Sequence, residues 1–477
     1  MSPKLYRHLE KLDQQELHWL DKYLASPYHN PNTTLHDLFR YLRPFYPDFQ
    51  AVTPQSVYEH FFPGRPFQVK WVNDRFSELS HCVEGFLQQQ ALKAAPADQT
   101  ALLQRAFRQR GLYRSLSRLT EKQLRQLDAP ALQDLDHVQE MIRHQRELFD
   151  LPAYAQRATG QQIVQQLISL ADLHYLLLKL PYVIDHLARQ NTYNESEEKS
   201  VPAELLTAAK AMELQHPLLA LYLKLFDGYR DRHCSLPDFT EAVDLWNSLL
   251  QKATPNELAF CLIKLCGLGI AEVYKGDLRF LEHLFPLYQM GVERRLFTLY
   301  GYFPDDTFLN ICTYGAYTNS YEWTSEFIET HRHLLPADVA KNAVVLGRAI
   351  LAFHQGRFDD VRILLRSGSS KRLTYKVRIR SLLVRCLLEL HIQDTSYLPS
   401  LLNLIRSHER AYRREQGLSE ERRAAYLHLY RMIRAIARLR ETAWQQPAAH
   451  RRVREKIESF TSIVLKPWLL EKVDIQG

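Results

Sequence analysis

The chain has 477 residues, more than one compact core usually holds, so it folds as several domains or as one elongated array. Its 46% hydrophobic and 24% charged content argues against disorder, and 16 glycines leave little room for the turns of an all-β fold. The net charge of +7 is polarised: residues 361–477 hold 24 Lys and Arg against 11 Asp and Glu, whereas the first 360 residues are net −6.

Six cysteines (82, 234, 261, 266, 312 and 386) form no C-x-x-C pair and read as reduced core thiols, which fits a cytoplasmic setting. The first residues lack the apolar core of a signal peptide. The most apolar windows, Leu167–Ile184 and Ala259–Tyr274, are interrupted by Asp172, His174 and Lys179 and by Lys264 and Glu272. No membrane span is therefore expected.

Residues 1–92 read as an N-terminal module of short helices. Asp13 with Glu16 forms a capping box that opens a helix through Leu24, and Pro27 stops it. A second helix runs from about Thr34 to Leu42, a third from Thr53-Pro54 to His60, and a longer one to about Gln90. Ser26-Pro27-Tyr28-x-Asn30, Phe45-Tyr46-Pro47-Asp48-Phe49 and Phe62-Pro63-Gly64-x-Pro66-Phe67 mark the turns. With Arg110-Gly111-Leu112, the turns at Gly276 and Gly356, and Trp468-Leu469-Leu470-Glu471-Lys472, these segments resemble a bacterial family of tetratricopeptide-like helical proteins. The resemblance spans almost the whole chain. It implies an all-helical fold and brings no activity with it. His29 stands where the family pattern has Phe.

Residues 93–200 read as connecting helices, broken at Gly111, Pro130 and Pro152. Apolar residues at Ile163, Leu167, Leu170, Leu173, Leu177, Leu180 and Ile184 mark one long amphipathic helix that survives Pro181 with a kink. The polar run 191–200 is the expected boundary.

From 201 to 477 the expectation is an array of helical hairpins. Positions 237, 276, 319, 356 and 395 each open the same turn grammar, 39, 43, 37 and 39 residues apart. The pairs are 217–231 with 238–251, 255–275 with 277–290, 305–317 with 320–333, 337–355 with 357–366, 371–391 with 396–415, and 419–443 with 448–464. Five residues after each turn the tetratricopeptide pattern favours Ala, but here stand Ala242, Leu281, Thr324, Val361 and Ser400. The larger ones should push helices apart. The fold class is thus all-α: an irregular tetratricopeptide-like α-solenoid behind an N-terminal helical module.

Motifs for catalysis or nucleotide binding are lacking, so no enzyme, cofactor or metal is expected. Gly267-Leu268-Gly269 lies in an apolar helix and reads as a close helix contact. His331-x-His333 points its two rings apart. Two groups remain as candidates for binding. Lys371, Arg378 and Arg385 recur every seven residues, as one helical stripe. Arg406, Arg410 and Arg413, then Arg431, Arg434 and Arg438, form two more. Tyr412, Tyr426 and Tyr430 lie nearby, so these stripes suit an acidic protein or, with bases stacked on the tyrosines, RNA. Tyr314, Tyr317 and Tyr321 are spaced to line a peptide groove. The functional expectation is a non-enzymatic interaction scaffold that binds a protein or peptide. Nucleic-acid binding through the basic C-terminal helices is the alternative.

Overall fold

Helix is the only regular secondary structure among the described residues, so the chain is all-α. The computed structural model describes every residue except 1–3, 128–133, 152–157, 192–205, 208, 212–215, 367–371, 416, 443–445 and 475–477, and leaves the side chains of 158 and 159 aside. The expected breaks at Pro130 and Pro152, nearly all of the polar run 191–200, and Lys371 lie outside the described residues. The chain divides into two compact units, Met1–Gln123 and Leu124–Gly477.

In the first unit, helices α1 (Lys4–Leu9), α2 (Gln14–Ala25), α3 (Thr33–Leu42) and α4 (Pro54–Phe61) all pack on α5 (Val69–Ala94). Their apolar faces, including Leu20, Leu38, Leu42, Val72 and Leu79, are fully buried. The Asp13–Glu16 capping box forms as expected, with both reciprocal bonds at 2.8 Å. Asn30 fastens the turn after α2: its amide donates to Leu24 O, and its side-chain oxygen accepts from the Asn32 N–H. His29 stacks on Tyr23 at 4.5 Å, so an imidazole fills the place of the expected phenyl ring. Helices α6 (Pro96–Gln109) and α7 (Tyr113–Leu127) turn about Gly111, whose φ is +70°.

The second unit begins with α8 (Leu135–Phe149) and α9 (Ala158–Gln190), which runs on through Pro181. Five pairs of helices follow: α10 (Pro217–Arg230) with α11 (Leu236–Leu249), α12 (Pro255–Lys275) with α13 (Leu281–Glu293), α14 (Asp305–Tyr317) with α15 (Tyr321–His331), α16 (Ala340–His354) with α17 (Phe358–Arg366), and α18 (Leu373–Gln393) with α19 (Leu398–Arg413). Then come α20 (Glu420–Thr442), α21 (Pro447–Ser459) and α22 (Lys466–Asp474). First helices also touch the next first helix: α10 on α12, α14 on α16, α16 on α18, and α18 on α20.

Three of the five turn positions are left-handed, as tight helix-to-helix turns require: Gly276, Asn319 and Gly356. At Gly356, Phe358 rests on Phe353 with ring centroids 5.6 Å apart, and Val361 is fully buried. The other two positions differ. Pro237 lies inside the first turn of α11, and the left-handed residue is Arg232, five positions earlier. Thr395 opens a 3-10 turn that the Asp394 side chain caps.

Glycines on the first helices make close contacts with the neighbouring helices. A Cβ on Gly269 would meet Leu284 at 2.8 Å and Phe239 at 3.0 Å, which makes the G-x-G a helix contact, as expected. A Cβ on Gly315 would lie 2.1 Å from Thr324 Oγ1. So Thr324, fully buried, does not push α14 and α15 apart, because its counterpart has no side chain. Gly315→Ala gains roughly 1 kcal/mol of helix propensity but overpacks by about 1–3 kcal/mol. A net loss of stability in urea unfolding is expected, and Gly315→Ala with Thr324→Ala should recover part of it.

Helix Gly160–Gln190 is long and apolar enough to cross a membrane by length and composition, with a mean hydropathy of 1.4 in its best window. One face, from Leu173 through Leu176, Leu180 and Ile184, is buried against neighbouring helices of its unit. Cys234, Cys261, Cys266, Cys312 and Cys386 are buried free thiols, and Cys82 is partly buried.

Candidate functional site

The first helices of successive pairs surround a cavity of about 610 Å³. Tyr274 comes from α12, Tyr314 and Tyr317 from α14, Phe353 and His354 from α16, Arg378 and Arg385 from α18, and Tyr426 from α20. The segment 464–472 closes it, because α22 folds back toward α12: a Cβ on Gly276 would lie 3.8 Å from Lys466 and Pro467. Arg232 reaches Glu421 at 3.1 Å in the same closure.

Arg385 is the chemical centre of this cavity. Only 7% exposed, its guanidinium is held between Phe353, 4.2 Å from the ring centroid, and Trp468, at 5.1 Å. Its Nε and Nη2 have no hydrogen-bond partner among the described residues. These two nitrogens form the side-on edge of the fork, whose parallel N–H groups match the two oxygens of a carboxylate or phosphate. One turn along α18, Glu389 accepts from Trp468 Nε1 at 3.1 Å and pairs with Lys472 at 2.9 Å. That carboxylate therefore fixes Trp468 over the guanidinium instead of neutralising it. Burial works against the Lys472 charge, but its bonds to Glu389 and Glu471 outweigh this and hold the ammonium above its usual range.

Around this centre burial shifts several titrating groups toward their neutral forms. Burial and the Arg385 charge push His354 down to about 3. Burial raises the Tyr317 phenol, against the opposing pull of Arg385. Arg378 donates to Asn310 Oδ1 at 2.6 Å, and burial raises the neighbouring Asp306 carboxyl despite the Arg378 charge. Three cations, Arg378, Arg385 and Lys472, thus face two carboxylates, Glu389 and Glu471, among apolar and aromatic walls. The arrangement can hold an anionic group with an apolar body.

The structure sorts the candidate residues into two places. Arg378, Arg385, Tyr314 and Tyr317 meet in the cavity, although they came from separate patterns. Tyr321 does not join them: its hydroxyl lies within hydrogen-bond distance of Asn319 Oδ1 (2.7 Å) and His354 O (3.1 Å), which ties the turn. Arg406, Arg410 and Arg413 are exposed on α19, as are Arg431 and Arg438 on α20, while Arg434 pairs with Glu409 at 2.5 Å. Arg406 and Arg413 flank Glu409 by three and four residues, and Arg431 and Arg438 flank Arg434 likewise, so these two stripes adjoin. The three stripes therefore do not share one face. Tyr412, Tyr426 and Tyr430 are buried and present no ring beside the exposed arginines.

Phe353, His354, Glu389, Trp468 and Lys472 escaped the sequence reading. One signal was available: Arg385 sits among Leu382, Val384, Cys386 and Leu388, an apolar setting that an outward-facing arginine would not have. Among the described residues no group of His, Cys, Asp and Glu is arranged to hold a metal ion. Comparison with models of protein families, with curated proteins and with solved structures gave no match.

Proposed function

We propose that this protein is a non-enzymatic interaction scaffold: an irregular tetratricopeptide-like α-solenoid of the cytoplasm whose inner cavity anchors an acidic peptide or protein segment. One observation carries the reading. The unpartnered, buried fork of Arg385 sits in a cavity of about 610 Å³ walled by the first helices of the pairs. A buried charge without a counter-ion costs several kcal/mol, and a carboxylate from a partner removes that cost. The aromatic walls take the apolar neighbours of that carboxylate, as interface tyrosines and tryptophans do.

Selection from a displayed peptide library on the purified protein tests this. Peptides with an acidic side chain or a free C-terminal carboxylate should be enriched. Arg385→Met should weaken them by roughly tenfold to a hundredfold, the worth of one charge-assisted pair. Ser381→Trp, which fills the cavity from α18, should abolish the selection. Equal enrichment on wild type and both variants would remove the proposal.

RNA binding along the exposed α19–α20 arginines is the runner-up, favoured by the adjoining stripes. The burial of the three tyrosines leaves it phosphate contacts without base stacking. If it holds, affinity for a single-stranded RNA falls steeply with salt. Salt-independent or undetectable binding rejects it.

A further inference from the structure

Helix α9 buries one face and leaves on the other a row of apolar side chains: Val164, Ile168, Ala171, Tyr175, Leu178 and Tyr182. Their spacings are 4, 3, 4, 3 and 4, the seam of a left-handed coiled coil sustained over about 27 Å of helix. Ile168 is 59% exposed and Tyr182 72%, so no described part of the chain covers the row. The residues packing α9 on its own unit, such as Leu173, Leu176, Leu180 and Val183, belong to the other face. At the next seam position Asp185 is held by Lys264 and Arg189, at 2.6 and 2.7 Å, which ends the apolar row at Tyr182.

We propose that this row is a dimer interface, occupied by α9 of a second copy running antiparallel. The flanking charges carry the choice of occupant. Asp172 and Lys179 lie seven residues apart on the same edge of the seam. Asp172 has no ion pair among the described residues, and the Lys179 ammonium, 5.0 Å from the Tyr175 ring centroid, donates to the Tyr175 hydroxyl at 2.6 Å. In an antiparallel pair, equivalent edges face each other, and one register pairs the C-terminal part of the row with itself, leaving Val164 and Ile168 beyond the partner's Tyr182. Tyr175 then packs on the partner's Leu178, and Ala171 gives room to the partner's Tyr182. In that register Asp172 meets the partner's Lys179, and the twofold axis repeats the pair. A parallel pair would set Asp172 and Lys179 against Leu167 and His174, with no complementary charge. A single two-helix seam falls below the roughly 800 Å² per partner of a standard complex, so the dimer should form in the micromolar range.

Sedimentation of the full-length protein across micromolar concentrations, with circular dichroism melts as a folding control, tests this. Wild type should pass from monomer to dimer. Leu178→Glu, at an exposed position, should keep the melt and lose the dimer. Asp172→Lys sets like charges against each other twice and should weaken dimerisation roughly tenfold or more. The charge swap Asp172→Lys with Lys179→Asp should restore it. Three results would overturn the proposal: wild type monomeric throughout, no rescue by the swap, or a monomer that binds phosphatidylcholine vesicles through this row.

Discussion

Replacing Glu389 with Ala should destabilise the second unit by about 3 kcal/mol, seen as a lower urea midpoint. Breaking a buried ion pair typically costs about 3–5 kcal/mol, because the remaining charge stays buried. Here the loss falls at the low end, because Lys472 keeps its 2.9 Å contact with Glu471. The indole N–H of Trp468 loses its acceptor at the same time. Glu389→Gln should separate the two roles. The amide oxygen can still accept from Trp468 but no longer balances Lys472, so Trp468 fluorescence should stay near wild type while stability falls. In Glu389→Ala, by contrast, Trp468 loses its tether over Arg385, and its emission should shift to the red as the ring meets water. An unchanged midpoint in both variants would mean that Glu389 does not fasten α22.

That contact also shows where sequence reasoning stops. The helix pairs of the second unit were legible because their signals are local. Thr254 with Glu257 opens α12 through a capping box, Gly276 and Gly356 turn left-handed, and Phe358 with Val361 marks the returning face. The seven-residue recurrence of Arg378 and Arg385 likewise showed that they share a face. It could not show that this face points inward, because the recurrence fixes the phase among the arginines and not their direction. Direction is set by Glu389 meeting Trp468, 79 positions away, and by Phe353 beneath the guanidinium. Periodicity within one helix does not encode such pairings. Nor does the spacing within one helix show the room at Thr324, since its neighbour Gly315 lies on the other helix of the pair.

Acidification should weaken the second unit well before its carboxylates protonate. His354 is held down at about 3, and His144 and His408 at about 4, in each case by burial first and then by a neighbouring arginine. In the unfolded chain the same imidazoles titrate near 6.5. Between those values the unfolded state binds more protons, so stability is full above about pH 6.5 and falls as pH is lowered toward 4. Each histidine contributes about 1.4 kcal/mol per pH unit in that window, or about 4 kcal/mol for the three at pH 5.5. Asp306 and Glu257, raised by burial, act in the opposite direction. Urea midpoints at pH 7.5 and 5.5 should therefore differ clearly, and His354→Gln should flatten the difference by about a third. The slope is the readout, since the substitution also changes packing. Arg385 ties this to binding, because its charge is one of the two causes that keep His354 neutral. An anion seated on the guanidinium would offset that charge and let His354 take up a proton more readily. An acidic peptide bound in the cavity should therefore raise the pH at which the His354 imidazole titrates, read from its ring-proton NMR shifts. An imidazole that titrates at the same pH with and without the bound acidic peptide would place that peptide away from Arg385.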